Sequence, residues 1–299
     1  MKGKPIVVTG ACGQLALSIK ERWASFSRAD EFELVCKDKK QLDITSKGSI
    51  EKILNRQKVS VLINTAAYTA VDEAESEQDK AYLLNHVGPQ NLASYSLKSN
   101  FKLIHISTDF VFSGKKVEPY LTTDLTDPPN VYGKSKRAGE AAILRMNPRL
   151  STVIRTSWLY SRHRNNFVKS MIRLMSGRDS LHIVNDQIGS PTSTDSLVDL
   201  IFTMLKTEDY SGIYHWSDRG SVSWYDFALV IQDYCLDAGL LKKRIPIIPI
   251  STNQYPTSAR RPKYSVMDSS LTIEKYSIEP KPWKESLKRV IEQIAGNEK

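Results

Sequence analysis

The chain has 299 residues, enough for one large domain or two modest ones, and a net charge of +9 at pH 7. Its basic residues are scattered through KDKK, GKSKR, KKR and ARRPK, which suits an anionic ligand and argues against nucleic acid as a partner. No stretch approaches the ~20 apolar residues of a membrane span, the apolar run near the N-terminus is too short for a signal-peptide core, and Cys12, Cys36 and Cys235 form neither a disulfide framework nor a zinc pattern, so the expectation is a soluble cytoplasmic protein with no zinc site.

Residues 5–9 read as a strand, and Gly10-Ala11-Cys12-Gly13-Gln14-Leu15-Ala16 leads from it into a helical pattern. Strand, glycine turn and helix is the arrangement that seats a dinucleotide pyrophosphate on a helix N-terminus. The form is G-x-x-G-x-x-A: Gly10 for the tight turn, Gly13 for backbone approach to phosphate, Ala16 for close packing. An ordinary strand–helix turn is the competing reading, and the position at the chain start favours the nucleotide loop. Residues 32–36 form a second strand, followed by Asp38 and Lys39. An acidic group there binds the adenosine ribose and a basic one accommodates a 2′-phosphate, so NADH and NADPH both stay open, with the lysines tilting towards NADPH. Asp43 either faces the adenine or caps the next helix. Residues 59–64 are a third strand, ending in Thr65-Ala66-Ala67-Tyr68, small enough at its edge for a cofactor to lie close, and a helix covers 85–97.

A fourth strand brings the chain to Ser107-Thr108-Asp109, and the loop 110–130 crosses to Tyr132-Gly133-Lys134-Ser135-Lys136 at the head of a helix. Tyr132 and Lys136, four apart, share a helix face. A phenol titrates near pH ~10; a neighbouring ammonium favours the phenolate and moves it towards the pH at which acid–base transfer works best. A hydroxyl from Ser107 or Thr108 would hold a carbonyl oxygen beside it. Y-x-x-x-K alone is a weak pattern, frequent by chance on exposed helices. Ser151–Thr156 is a fifth strand. Strands alternating with helices predict an α/β, doubly wound parallel sheet, a Rossmann fold. Gly10, Asp43, Ala66 and Thr108 all fall at the carboxyl ends of its strands, where such sheets bind ligands. Residues 1–160 read as the dinucleotide-binding domain and 161–299 mainly as a smaller substrate-binding lobe, with some segments returning to the first. The later elements are a helix from Phe167 carrying Met171 and Met175, a strand Leu181–Val184, a polar loop 185–192, a helix 193–206, a strand 212–216, a helix 224–238, an apolar run 245–250, a basic loop 257–263 and a last helix 283–295. His105 and His215 lie inside apolar strands and read as packed residues, neither at metal-ligand spacing.

With these pieces assembled, the chain resembles the extended short-chain dehydrogenase/reductase family. The segments TGACGQL, LDIT, NTAAYTAVDEAE, STDFVFSG, YGKSKRAGE, RTSWLYS, NNFVKSM, NDQIGSPTST, GIYHWS and TSARRPKYSVMD carry the likeness in order over nearly the whole chain. The resemblance implies that NADPH or NADH reduces the 4-keto group of a dTDP-sugar, dTDP-4-dehydro-6-deoxy-L-mannose, to dTDP-L-rhamnose. It implies that Tyr132 protonates the carbonyl oxygen, that Lys136 lowers the Tyr132 pKa and holds the nicotinamide ribose, and that Thr108 bonds the same oxygen. Asp109 would contact the sugar and Trp158 wall its site. Gly13, Gln14, Leu15, Asp43, Ile44, Ala66, Ala67 and Tyr68 would line the cofactor. Asn166 and Arg261 are candidates for the diphosphate, since an Arg fork grips phosphate oxygens, with a surface ion pair the equal alternative for Arg261. Two departures stand out: Ala16 replaces a third glycine, and Leu17-Ser18-Ile19 lack the acidic residue that some members use for a metal at a dimer contact. The second implies no required metal and argues against that dimer, while leaving a homodimer open. A reductase of another dTDP-4-keto-6-deoxy sugar, a non-catalytic nucleotide-binding regulatory subunit, and an epimerase or dehydratase that retains NAD are the alternatives.

Overall fold

A computed structural model describes residues 3–55, 58–207 and 211–297. Apolar side chains on alternate positions of five strands decide its centre: β1 (Lys4–Thr9), β2 (Phe32–Lys37), β3 (Val61–Asn64), β4 (Lys102–Thr108) and β5 (Ser151–Thr156). Ile6, Val8, Ile63, Ile104 and Ile154 point to one face, and Val7, Leu62, Leu103 and Val153 to the other. Successive residues of a strand face opposite ways, so a sheet apolar on both faces must be covered on both. Helices α1 (Gln14–Arg22), α2 (Lys47–Leu54), α3 (Gln78–Tyr82), α4 (Gly88–Ser99) and α5 (Val131–Met146) supply much of that cover, with a π turn, Leu83–Val87, joining α3 to α4. Leu42, Ile50, Leu92 and Ile143 pack under one face, and Leu15 and Ile19 of α1 under the other.

The chain then continues through β6 (Leu159–Tyr160), α6 (Phe167–Gly177), β7 (Leu181–Val184), β8 (Ile188–Gly189), β9 (Thr192–Ser193), α7 (Thr194–Leu205), β10 (Gly212–His215), β11 (Val222–Ser223), α8 (Trp224–Asp237), β12 (Ile247–Ile250), α9 (Ser270–Tyr276) and α10 (Trp283–Asn297). Two of these return to the first half. β10 pairs in parallel with β5, and α7 packs against α1, where Ser18 Oγ and Thr194 Oγ1 meet at 2.7 Å. The six-stranded sheet runs β2-β1-β3-β4-β5-β10, with every pairing parallel. Its order reverses between β1 and β3, which opens a crevice at their carboxyl ends. A separate apolar cluster joins α6, α8 and α10 with the small β7–β12 pair and forms the lobe beside that edge. The predicted strands and long helices recur within one to three residues at their ends; the short α9 was not expected.

Candidate active site

The catalytic candidates converge because α5 begins where β4 ends. Asn130 caps α5, its Oδ1 accepting from Gly133 N at 2.8 Å, which puts Tyr132 in the first turn. Gly133 lies so close to Phe110 O that any side chain there would collide with it. Thr108 closes β4; its Oγ1 accepts from Phe110 N at 3.1 Å and donates to Asp109 Oδ1 at 3.0 Å. Asp109 Oδ2 is buried with no hydrogen-bond partner, and burial lifts this carboxyl to about 6, against bonds from Ser265 and Thr108. The Phe110 ring meets Tyr132 edge-on, with centroids 5.7 Å apart.

The Tyr132 phenol is pushed up to about 12, first by burial, with the Thr108 hydroxyl pulling it down and the Asp109 charge adding to the rise. This differs from the expectation that Lys136 would lower it. Lys136 is only 2% exposed, and its Nζ donates to Ile106 O at 2.6 Å and stands 3.3 Å from His105 Nε2. Burial pulls this ammonium down to about 8, with Glu140 pulling the other way. The lysine is thus held by β4 beneath the phenol's helix rather than by the phenol.

On the cofactor side, Gly10 has φ +65, and a Cβ on it would fall 2.9 Å from Ala66 N. Gly13 caps α1 without a side-chain acceptor, and no acidic residue stands in the first turn. A Cβ on Gly13 would stand 3.2 Å from Gly10 O, tighter than ordinary van der Waals contact. Bare N–H groups at the N-terminus of α1, with no acidic side chain in its first turn, fit a pyrophosphate. Gln14 turns aside: its Nε2 donates to Leu159 O at 3.0 Å, and its Oε1 accepts from Ser161 Oγ at 3.1 Å. Leu15 is buried in the core, so only its backbone faces the loop. Asp38 Oδ1 accepts from Gln41 N at 2.9 Å, and Lys39 is exposed. Asp43 does not cap α2; Ser46 does, while Asp43 Oδ1 accepts from the N–H and hydroxyl of Thr45. Ile44 is buried against Gly88. Ala66 and Ala67 stay half-exposed at the crevice, and the Tyr68 N–H donates to Asn85 Oδ1 at 2.8 Å.

Beside this edge lies a cavity of about 800 Å³ walled by Phe110, Trp158, Phe167 and Trp224, with Arg173, Arg178 and Arg261 among its cations. Trp158 has a φ of +45 and stacks on Trp224, with ring centroids 3.4 Å apart and planes 6° from parallel. Gly189 leaves the room for that indole. Arg261 both lines the cavity and pairs with Asp72, through bonds of 3.1 and 2.6 Å to its two oxygens. Asn166 is not in this wall. It caps α6, donates to Ser161 O at 2.7 Å and stands beside Gln14. Sequence reasoning missed Trp224, Arg173 and Arg178, and also Arg164, whose Nε donates to Cys12 O at 2.7 Å over the glycine loop. Among the described residues no three His, Cys, Asp or Glu side chains are grouped to hold a metal, and no helix is long and apolar enough to cross a membrane.

The sequence profile of the RmlD substrate binding domain matches residues 3–295. A dTDP-4-dehydrorhamnose reductase of Aggregatibacter actinomycetemcomitans is 39% identical over 292 residues, covering 95% of this chain and 97% of the relative. The spore coat polysaccharide biosynthesis protein SpsK of Bacillus subtilis is 37% identical, covering 96% of this chain and 97% of its own. The crystal structure of dTDP-4-dehydrorhamnose reductase from Bacillus anthracis in complex with NADP superposes with a TM-score of 0.90 at 36% identity, covering 98% of this chain and 100% of that one.

Proposed function

The chain belongs to the RmlD substrate binding domain family, and from that premise we propose that it reduces the 4-keto group of dTDP-4-dehydro-6-deoxy-L-mannose to give dTDP-L-rhamnose. It is an NAD(P)H-dependent oxidoreductase acting on a dTDP-sugar. The observation that carries the residue assignment is the meeting of Thr108, Tyr132 and Lys136 at the head of α5, where Phe110 packs against the phenol and also walls the cavity.

When bound, NAD(P)H supplies the hydride. Gly10 and Gly13, with the backbone of Gln14 and Leu15, would hold its pyrophosphate at the N-terminus of α1; Asp38, Lys39, Asp43 and Ile44 would hold the adenosine, and Ala66, Ala67 and Tyr68 would line the rest of it. Lys136 is the group for the nicotinamide ribose. Tyr132 carries its proton at neutral pH, because burial raises the phenol, and that proton goes to the carbonyl oxygen as it gains charge. Thr108 turns its hydroxyl from Asp109 to the same oxygen. The charge that forms there is met by the Tyr132 proton and, once turned, by the Thr108 hydroxyl, and stabilising such charge is where sites of this kind gain most of their rate. Asp109 is the group assigned to the sugar hydroxyls; it is only 2% exposed and holds Thr108 Oγ1 at 3.0 Å. The Trp158–Trp224 stack encloses the sugar, and the cavity's arginines suit a diphosphate. We place the reaction in the cytoplasm, a reading supported by a sparse, odd set of three cysteines with no C-x-x-C pattern.

The test is oxidation of NADPH and of NADH with dTDP-4-keto-6-deoxyglucose, with and without its 3,5-epimerase. Oxidation that requires the epimerase and yields dTDP-rhamnose is the expected result. Oxidation without the epimerase points to another 4-keto sugar, and none at all overturns the reading.

A further inference from the structure

The register of the sheet places Thr9, Asn64 and His105 side by side on β1, β3 and β4, on the face that meets α5. All three are sealed from solvent. Thr9 Oγ1 donates to Asn64 Oδ1 at 2.6 Å, Asn64 Nδ2 meets His105 Nδ1 at 2.9 Å, and His105 Nε2 stands 3.3 Å from Lys136 Nζ. Ala66 N also donates to Asn64 Oδ1, at 3.3 Å. The row therefore starts under the crevice loop and ends on Lys136.

Two residues earlier on the same face, the row is Val7, Leu62 and Leu103. Apolar side chains hold the sheet there, and buried polar groups stabilise no better even when fully paired. The polar row thus has a use other than holding strands together. An ammonium has three donors and no acceptor. Ile106 O takes one. Asn64 Nδ2 donates to His105 Nδ1 and so leaves the imidazole proton on Nε2; His105 Nε2 takes the second donor once the Asn64 amide turns over, and the third is left for the site. A neutral imidazole has one N–H and one lone pair, so a change of tautomer lets it accept from an ammonium or donate to an amine. The Asn64 amide, carrying both a donor and an acceptor, can follow that change by rotating.

We propose that His105 is a positioning residue for the reduction: backed by Asn64 and Thr9, it fixes Lys136 Nζ and biases Lys136 towards its ammonium form. The inference rests on the reductase reading above. The other charged or titratable groups around Lys136 are Glu140, one turn along α5 and itself held by Arg155 from β5 and by Ser107; Tyr132, one turn back; and Asp109 at the end of β4. The π turn contributes uncharged Asn85, bonded to Ser135. Burial keeps His105 neutral, with the Lys136 charge acting in the same direction.

A bond accepted from an ammonium is stronger than one donated to an amine, so losing the imidazole weakens the ammonium more. His105→Leu is expected to lower kcat about tenfold at pH 7.5 and to move the basic limb of its pH profile down by about one pH unit, a tenfold change in proton affinity. The KM for the dTDP-sugar stays within twofold, and His105→Gln, whose amide can accept from Lys136, restores most of the profile. An unmoved basic limb in a folded His105→Leu protein, or equal loss in kcat and KM, overturns the proposal. A second measurement needs neither substrate nor that variant: imidazole ¹⁵N spectra followed from pH 6.5 to 9.5. The expected result is a tautomer change at His105 that is absent in Lys136→Met. A His105 signal unmoved in the wild type, or moving equally in both, overturns the inference. A wild type that fails to oxidise NADPH with the keto sugar overturns the reductase reading instead, and the spectra still decide this one.

Discussion

Tyr132 shows what a single side chain contributes. Its phenol is pushed up to about 12, so in the proposed reaction it is protonated and able to act as an acid across the neutral range. Tyr132→Phe removes that proton and little else, and kcat is expected to fall by about 10²–10⁴, the usual worth of a positioned general acid. NADPH affinity, read by fluorescence titration, stays nearly intact; equal loss of both would count against the role. The placement of Tyr132 and Lys136 in the first turns of α5, and of Thr108 at the end of β4, was legible in the sequence because a helix fixes the four-residue spacing and an apolar strand ends at Thr108; their proposed roles follow from those residue types. Arg261 and Asn166 were legible only as candidates. The partner of Arg261 is Asp72, 189 positions away, and that of Asn166 is a carbonyl in the preceding loop. No local pattern announces such pairings. Trp224 stood in plain view at a helix start, but sequence does not say whether an aromatic ring faces a cavity or a core.

At the scale of elements, α5 owes its position to glycines on the face turned towards its neighbours. Gly139 is set so tightly against Asn85 O of the π turn that an added Cβ would overlap it. Asn85 in turn holds Tyr68 and Ser135 through its side chain. Alanine is favoured over glycine in a helix by ~1 kcal/mol, while overpacking costs ~1–3 kcal/mol. The backbone contact cannot swing aside, so overpacking wins: Gly139→Ala is expected to lower the thermal midpoint in a calorimetric scan despite the better helix former. Alternating apolar residues made the central strands legible. The strand over 212–216 was visible too, but not the edge of β5 it joins, because strand partners are chosen by the packing of whole layers. The seven-residue α9 is too short to show a period.

Across the whole molecule, the lobe and the sheet are joined by buried polar groups as well as apolar ones. Asp218, just beyond β10, accepts from Ser193 N at 3.0 Å at the start of α7, and burial lifts its carboxyl to about 6, with the Ser196, Ser193 and Ser286 bonds opposing. The folded value lies above the 3.8 of the free group, so between pH 4 and 6 the native state binds more protons than the unfolded one. Stability from this group is then full at low pH and falls as pH rises through that window, by roughly 2–3 kcal/mol in all. Asp218→Asn lacks the loss. Urea unfolding at pH 4 and pH 7 should show the variant gaining on the wild type at the higher pH, and a gap that does not change with pH would refute the assignment.

Gln14 and Arg164 tie the glycine loop to the segment that follows Trp158. The indole proposed to wall the sugar site therefore begins a stretch of chain anchored to the loop proposed for the pyrophosphate, so the two sites are expected to be coupled. The expected outcome is an ordered addition, cofactor before sugar, with the oxidised cofactor leaving last. NADP⁺ should then compete with NADPH at every sugar concentration, and Gln14→Ala should loosen the order towards random.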